Sequence, residues 1–320
     1  MLFKIKTPGS LMIIGEHAVL HGFPAIACAI DKFITVEMEA INDGYVEIKS
    51  SSYSIMKFPL SLLSDIKDNQ YKFVLAGLKV FTQHYPVDEG FKLNIQSDIP
   101  QNVGFGSSAA VVVATIKVLS LRYGIGLSEK RLFELAIQSV LLAQNGIGSG
   151  SDIAASICCG MVKMQNGEFQ KLNAPLLNIV VIYSGYKTKT TDVVKIVQNN
   201  AQKHHDAFES VYYEMGQCVQ KFIKAINDGT LKTISICFNE YQDLLKQLGV
   251  ADEMTIKILY GLRKIGICAG KISGSGLGDC IIGLINDDSV IQNFNIPGAT
   301  VMNVNLINVG ANACEQAAVC

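Results

Sequence analysis

The chain has 320 residues, 49% of them apolar and 17% charged, with a formal net charge of −1. This composition supplies core material for two domains of ordinary size and excludes a disordered chain. The near-neutral balance excludes a global attraction to nucleic acid or an anionic membrane. No uninterrupted apolar stretch approaches the ~18 residues of a membrane span, and "MLFKIKTPGS" lacks the apolar region of a signal peptide. Nine cysteines without CxxC pairs read as reduced thiols of a cytoplasmic protein. Cys158 and Cys159 are adjacent, a spacing that does not suit an ordinary disulfide.

In chain order, the first ~100 residues read mainly as strands. "FKIKT", "AIACAIDKFITVEMEAI", "GYVEIKS" and "FKLNIQS" are rich in Val, Ile, Phe and Tyr, and one helix, "NQYKFVLAGLKVFTQHY", interrupts them. A glycine-rich turn at 101–106 then opens a helix to about Tyr123. Ser128 is a good N-cap for a second helix through "EKRLFELAIQSVLLAQ". "NGIGSGSD" precedes a short helix from about Asp152, and Asn166-Gly167 between strand-like runs predicts a hairpin. A domain boundary falls near Leu172 to Pro175. Beyond it lie a strand "NIVVIY", helical periodicity from Thr191 to Ile265, and strands "CIIGLI" and "TVMNVNLINV". Sheets with helices gathered to one side, in two halves, give an α+β fold.

Four stretches could carry chemistry. In "QNVGFGSSAAVVVA" two glycines and two serines stand before a run of small apolar residues. Gly104-x-Gly106-x-x-Ala109 fits a dinucleotide fingerprint, but no βαβ unit surrounds it. No GxxxxGK[ST] occurs, which excludes a Walker A loop. A phosphate cradle is the third reading, with backbone amides at a helix start and Ser107 and Ser108 as extra donors or a magnesium ligand. A plain tight turn is the fourth. In "PGSLMIIGEHAVLHGFPAIA", Glu16 and His17 follow a glycine after an apolar run and could reach into a cleft. His17 and His21 could pair on a metal, although the glutamate position rules out HExxH, and a satisfied loop histidine fits as well. Asp152 is either a general base at a helix start or an ordinary N-cap. In "GKISGSGLGDCIIGL", Gly274, Ser275, Gly276 and Gly278 break up a would-be hairpin, as a backbone lying close to a ligand would require; a merely flexible loop is the alternative.

Together these stretches resemble the GHMP kinase superfamily. "PGSLMIIGEHAVLHG" looks like its first motif, "IPQNVGFGSSAA" its second and "KISGSGLGDCIIGL" its third, in family order across both ends of the chain. "GEHAVLHG" is most similar to the mevalonate-phosphorylating branch. The resemblance implies a ribosomal protein S5 domain 2-like N-terminal domain (1–172) and a ferredoxin-like C-terminal domain (173–320), with the site between them. It implies ATP and Mg2+, the phosphates held by Pro100, Gly104, Phe105, Gly106, Ser107, Ser108 and Ala109, and by Gly274, Ser275 and Gly276 on the far side. Ser108 would contact the magnesium. Asp152 aligns with the catalytic aspartate, and Ser10, Glu16, His17 and Thr190 (or Thr191) would meet the acceptor. The partner implied is a small molecule, mevalonate or a close relative, with no nucleic acid or membrane, and a homodimer is compatible with it.

Three departures stand out. Ser10 replaces a lysine usual after the first Pro-Gly, and Leu141 replaces a magnesium-binding glutamate eleven residues before the aspartate. The aspartate context is closer to kinases that phosphorylate phosphomevalonate. Lys187 or Lys189 could supply the lost cation. A phosphomevalonate kinase, another small-molecule kinase of the superfamily, or a binding protein that has lost catalysis are the competing readings.

Overall fold

A computed structural model describes residues 1–100, 102–286, 288–308 and 318–319. Two sheets organise them. In the first, β1 (Leu2–Ile14) and β2 (Ala25–Ile41) form a long antiparallel pair. β5 (Gly90–Ser97) joins the other edge of β2, followed by β3 (Tyr45–Ser50) and β4 (Tyr53–Pro59). The β3–β5 pairing is parallel and its neighbours are antiparallel. The hairpin β6 (Met161–Gln165) and β7 (Glu168–Lys171) adds to the start of β2. Its turn is Asn166-Gly167, both at positive φ, as the dipeptide predicts.

Continuous burial of Ala25–Ile30 follows from cover on both faces, whereas the second half of β2 alternates. Four helices pack on this sheet: α1 (Lys72–His84), α2 (Ser107–Arg122), α3 (Glu129–Ala143) and α4 (Ser151–Cys158). α2 lies against β1 and β2 and is apolar nearly all round, the pattern of a helix enclosed by others. Ser128 caps α3 through the Arg131 amide at 3.2 Å.

The second sheet has the order β11 (Thr300–Met302), β8 (Ile179–Lys187), β10 (Gly278–Leu284), β9 (Gly270–Ser273), all antiparallel. Four helices, α5 (Thr190–Lys203), α6 (His205–Asn227), α7 (Leu231–Gln247) and α8 (Glu253–Lys264), accompany it. Near the end the chain returns to the first sheet, where Leu306 bridges Ile30 and β12 (Ala318–Val319) pairs with β1. The fold is α+β in two halves, as the order of elements predicts.

Some local expectations fail for identifiable reasons. β4 is not legible in the sequence, because "YSIMKFP" is mostly exposed and lacks a clean apolar alternation. "TVMNVNLINV" forms a strand only over its first residues; beyond them Asn305 and Ile307 hydrogen-bond to Asp31 and Ala29 of β2 on either side of the Leu306–Ile30 bridge. Asp152 is not an N-cap: Gly150 holds that position in left-handed conformation, leaving Asp152 inside the first turn of α4. Cys28, Cys158, Cys218, Cys237, Cys268 and Cys280 are free thiols. Cys159 is disulfide-bonded, against the reduced-thiol expectation, since adjacency to Cys158 forbids only a bond between those two. No described helix is long and apolar enough to cross a membrane.

Candidate active site

Both sheets contribute to one cleft that is open to solvent. Its geometry starts at Pro8, which cannot donate to the sheet ladder. The β1–β2 register slips between Pro8 and Ser10, and the slip turns the Ser10 backbone toward the glycine loop. There the Ser10 amide donates to the Phe105 carbonyl at 3.0 Å. The Ser10 hydroxyl donates to Asp152 Oδ1 at 2.7 Å. β1, the loop before α2 and the start of α4 therefore meet at one point.

Gly106 and Gly104 are both required by close approach. Gly106 is left-handed (φ 63°), and any Cβ there would collide with the Ser10 hydroxyl. A Cβ on Gly104 would fall on the Asp279 carboxylate. The bare backbone brings the loop against two polar side chains and leaves the start of α2 open. No side chain caps α2, so its first-turn amides and the positive end of its dipole face the cleft beside Ser107, Ser108 and Ala109. At the start of α4 the Ser151 amide donates to Ser149 Oγ at 3.3 Å. Anion binding at the start of α2 is what this geometry supports.

The opposite wall is electrostatically dense. Glu16 and His17 follow β1, before a short 3-10 turn at Ala18–His21. Glu16 is ion-paired with Lys271 at 2.6 Å, and both are almost wholly buried. Lys271 also donates to the Ile272 carbonyl, and the Tyr241 hydroxyl donates to the Glu16 carbonyl at 2.8 Å. Burial lowers the Lys271 pKa, with Glu16 opposing. His17 Nε2 donates to the Ser275 carbonyl at 2.9 Å, and burial keeps its pKa below the usual imidazole value. His21 stacks on Tyr212 with ring centroids 3.8 Å apart, so the two histidines serve different contacts instead of sharing a metal.

Asp152 has its pKa raised, chiefly by burial and less by Asp279 and Glu16; the Ser10 hydrogen bond and the Lys187 charge oppose the rise. Lys187, at the end of β8, is paired with Asp279 Oδ2 at 2.9 Å. Burial pushes the Lys187 pKa down, but Asp279 and, more weakly, Asp152 outweigh it, and the net direction is upward.

Gly104, Gly106, Ser107, Ser108, Ala109, Gly274, Ser275, Glu16, His17, Thr190 and Asp152 all line the cleft. Ser10 stands one hydrogen bond behind it. Pro100 is exposed away from it, the Phe105 side chain is in the core, and Gly276 packs toward Val250. Leu141 does not line the cleft, and Lys187 does while Lys189 does not. Sequence reasoning missed Asp279 and Lys271. An acid inside the glycine run "GSGLGD", and a lysine among apolar residues in "GKIS", were the available signals.

Buried side-chain atoms without a partner cluster here. Of those found among the described residues, Glu16 Oε2, Ser275 Oγ and Asp279 Oδ1 all belong to cleft-lining residues. With the uncapped start of α2 and the Ser108 hydroxyl, they fit a polar ligand carrying phosphates and a hard cation.

These features define a cleft suited to phosphates with a buried carboxylate beside it, the architecture of a small-molecule kinase. Family models agree: "GHMP kinases N terminal domain" matches residues 72–160 and "GHMP kinases C terminal" matches residues 222–295. The chain belongs to the GHMP kinase family. It is 30% identical to a mevalonate kinase of Thermococcus sibiricus, over 87% of this chain and 88% of that one. The crystal structure of Methanococcus jannaschii mevalonate kinase superposes with a TM-score of 0.82 at 24% identity, covering 95% of this chain and 98% of that one. A Streptococcus pneumoniae phosphomevalonate kinase in complex with phosphomevalonate and AMPPNP superposes with a TM-score of 0.78 at 18% identity, covering 95% and 99%. The fold is thus shared across acceptors and does not choose among them.

Proposed function

We propose that the protein transfers the terminal phosphoryl group of ATP to the 5-hydroxyl of mevalonate, a step of isoprenoid synthesis. The carrying observation is the position of Asp152: its carboxylate lies against the phosphate loop in the cleft and is held by Ser10. Phosphoryl transfer is mostly positioning and charge stabilisation. The first-turn amides of α2 would bind the phosphates, with Ser107 and Ser108 as hydroxyl donors and with Gly274 and Ser275 closing the opposite side. Mg2+, when bound, would neutralise phosphate charge, and Ser108 Oγ would hold it, since magnesium keeps most of its waters and takes few protein ligands. Asp152 accepts the proton of the attacking hydroxyl; its raised pKa makes it a better acceptor once ionised. Thr190 and the Glu16–His17 segment would orient the acceptor. The domain division of this reading is 1–172 and 173–320: β7 ends at Lys171, and β8, the first strand of the second sheet, starts at Ile179.

The cleft's charges favour mevalonate over its phosphate. Among its described lining residues the only lysine is Lys187, already paired with Asp279, beside three carboxylates. A phosphorylated acceptor would need further cations. A coupled ATPase assay across mevalonate, phosphomevalonate and a sugar panel tests this, with the highest kcat/KM expected for mevalonate. Preference for phosphomevalonate would move the assignment to that kinase, and turnover with none would favour a binding protein.

A further inference from the structure

Asp279 does not belong to the expected machinery, yet its surroundings are built around it. It sits in a bulge where β10 begins. Gly278 pairs with Lys187 while Cys280 pairs with Tyr183, so the β8–β10 register slips at Asp279. Its φ of 70° is left-handed, a conformation aspartate tolerates better than most residues. The bulge directs a 1% exposed carboxylate between Gly104 of the phosphate loop and Gly274 of the third motif, and a Cβ at either glycine would meet it. One carboxylate oxygen pairs with Lys187 and the other has no partner. The Lys187 side chain is 25% exposed, open to the cleft that Asp152 also lines.

We propose that Asp279 is the positioning residue that holds the Lys187 ammonium between the phosphate loop and Asp152, where it stabilises the transferring phosphoryl group. Three observations converge on it. Ser10 occupies the strand position beside Asp152 and gives a hydrogen bond but no charge. Lys187 approaches from β8, in the other sheet, and is the only lysine among the described lining residues. Asp279 leans on Gly104, so the lysine is referenced to the same loop that would hold the phosphates. A lysine free to rotate would spread its charge over the cleft; one pinned by a buried carboxylate keeps it at one place, which is what stabilising a transferring phosphoryl group requires. The inference rests on the kinase reading above.

A double-mutant cycle tests it on the intact protein, in kcat and in melting temperature. Lys187→Met should lower kcat by ~10²-fold, the scale of removing one preorganised charge from a transition state. Asp279→Asn, which keeps shape and tolerates the left-handed conformation, should lose less. The double variant should turn over no more slowly than Lys187→Met, because Asp279 acts only through the lysine and an unpaired buried carboxylate is removed. Lys187→Met should also move the acid limb of kcat/KM to higher pH. Of the groups facing Asp152, Ser10 from β1 and Lys187 from β8 favour its ionised form, whereas Glu16 and Asp279 oppose it. A merely structural pair would leave that limb in place. Losses that multiply in the double variant, or a magnesium titration that Asp279→Asn shifts equally with and without Lys187, would overturn the proposal and make Asp279 an independent ligand. An inactive parent would instead overturn the kinase reading on which it rests.

Discussion

Two lysine–carboxylate pairs stand in the wall of the site, one between the two sheets and one within the second sheet, and they differ in what surrounds them. Lys271–Glu16 is sealed: the side chains are 0% and 2% exposed, and Lys271 has a second acceptor in the Ile272 carbonyl. Lys187–Asp279 is half open, with the carboxylate buried and the lysine at 25% exposure. A sealed pair has committed its charge to its partner and to fixing the geometry between β9 and the segment after β1. An open pair keeps an ammonium in reach of a ligand. The difference separates a charge that holds the cleft together from one that works in it.

Breaking the sealed pair should give the largest loss of stability. Lys271→Met leaves Glu16 charged in a dry site, and urea unfolding should show a loss of about 3–5 kcal/mol. Adding Glu16→Gln should recover much of it. The open pair should respond the other way round: Lys187→Met should cost no more than about half as much stability, since water reaches the cleft side of the pair, while its effect on kcat dominates. Equal stability losses for the two lysines would erase the distinction. The smallest expected effect belongs to Ser108→Ala, which should raise the magnesium concentration at half-maximal rate a few-fold, because ATP phosphates and water supply the other ligands. A titration that overlays the parent would remove Ser108 from the metal.

The same contrast marks what the sequence made legible. Strand and helix order, the Asn166-Gly167 hairpin and the Ser128 cap are local consequences of residue type, and they were readable. The three motifs together carried the family resemblance, whereas their residues taken singly left a phosphate cradle, a dinucleotide turn and a plain tight turn open. Partnerships across the cleft were not readable. Lys187 and Asp279 are 92 positions apart in "SGYK" and "GLGD", and only the β8–β10 register with its bulge brings them together. Lys271 and Glu16 are further apart still, |i−j| being 255, and meet through the packing of the two sheets. Phe105 shows the converse error: a motif position that resembles a phosphate contact places its side chain in the core and offers only its carbonyl, to Ser10.

The central claim is that Asp152 takes the proton of the acceptor hydroxyl, and it has an unusual signature in stability. Its pKa is raised, mainly by burial, so folding favours its neutral form. Stability contributed by that preference is present at low pH and is lost as pH rises through the window between its ordinary and its raised value. At neutral pH the ionised carboxylate therefore costs the fold something. Asp152→Asn keeps the size and an oxygen for the Ser10 hydroxyl, and removes both the charge and the proton acceptor. Single-turnover phosphorylation and thermal melting of that variant, side by side, decide the matter. The expected result is a rate loss of ~10²–10⁴-fold, ATP affinity near that of the parent, and a melting temperature equal to or above it. A variant that keeps more than about a tenth of the parental rate with chemistry limiting would contradict it.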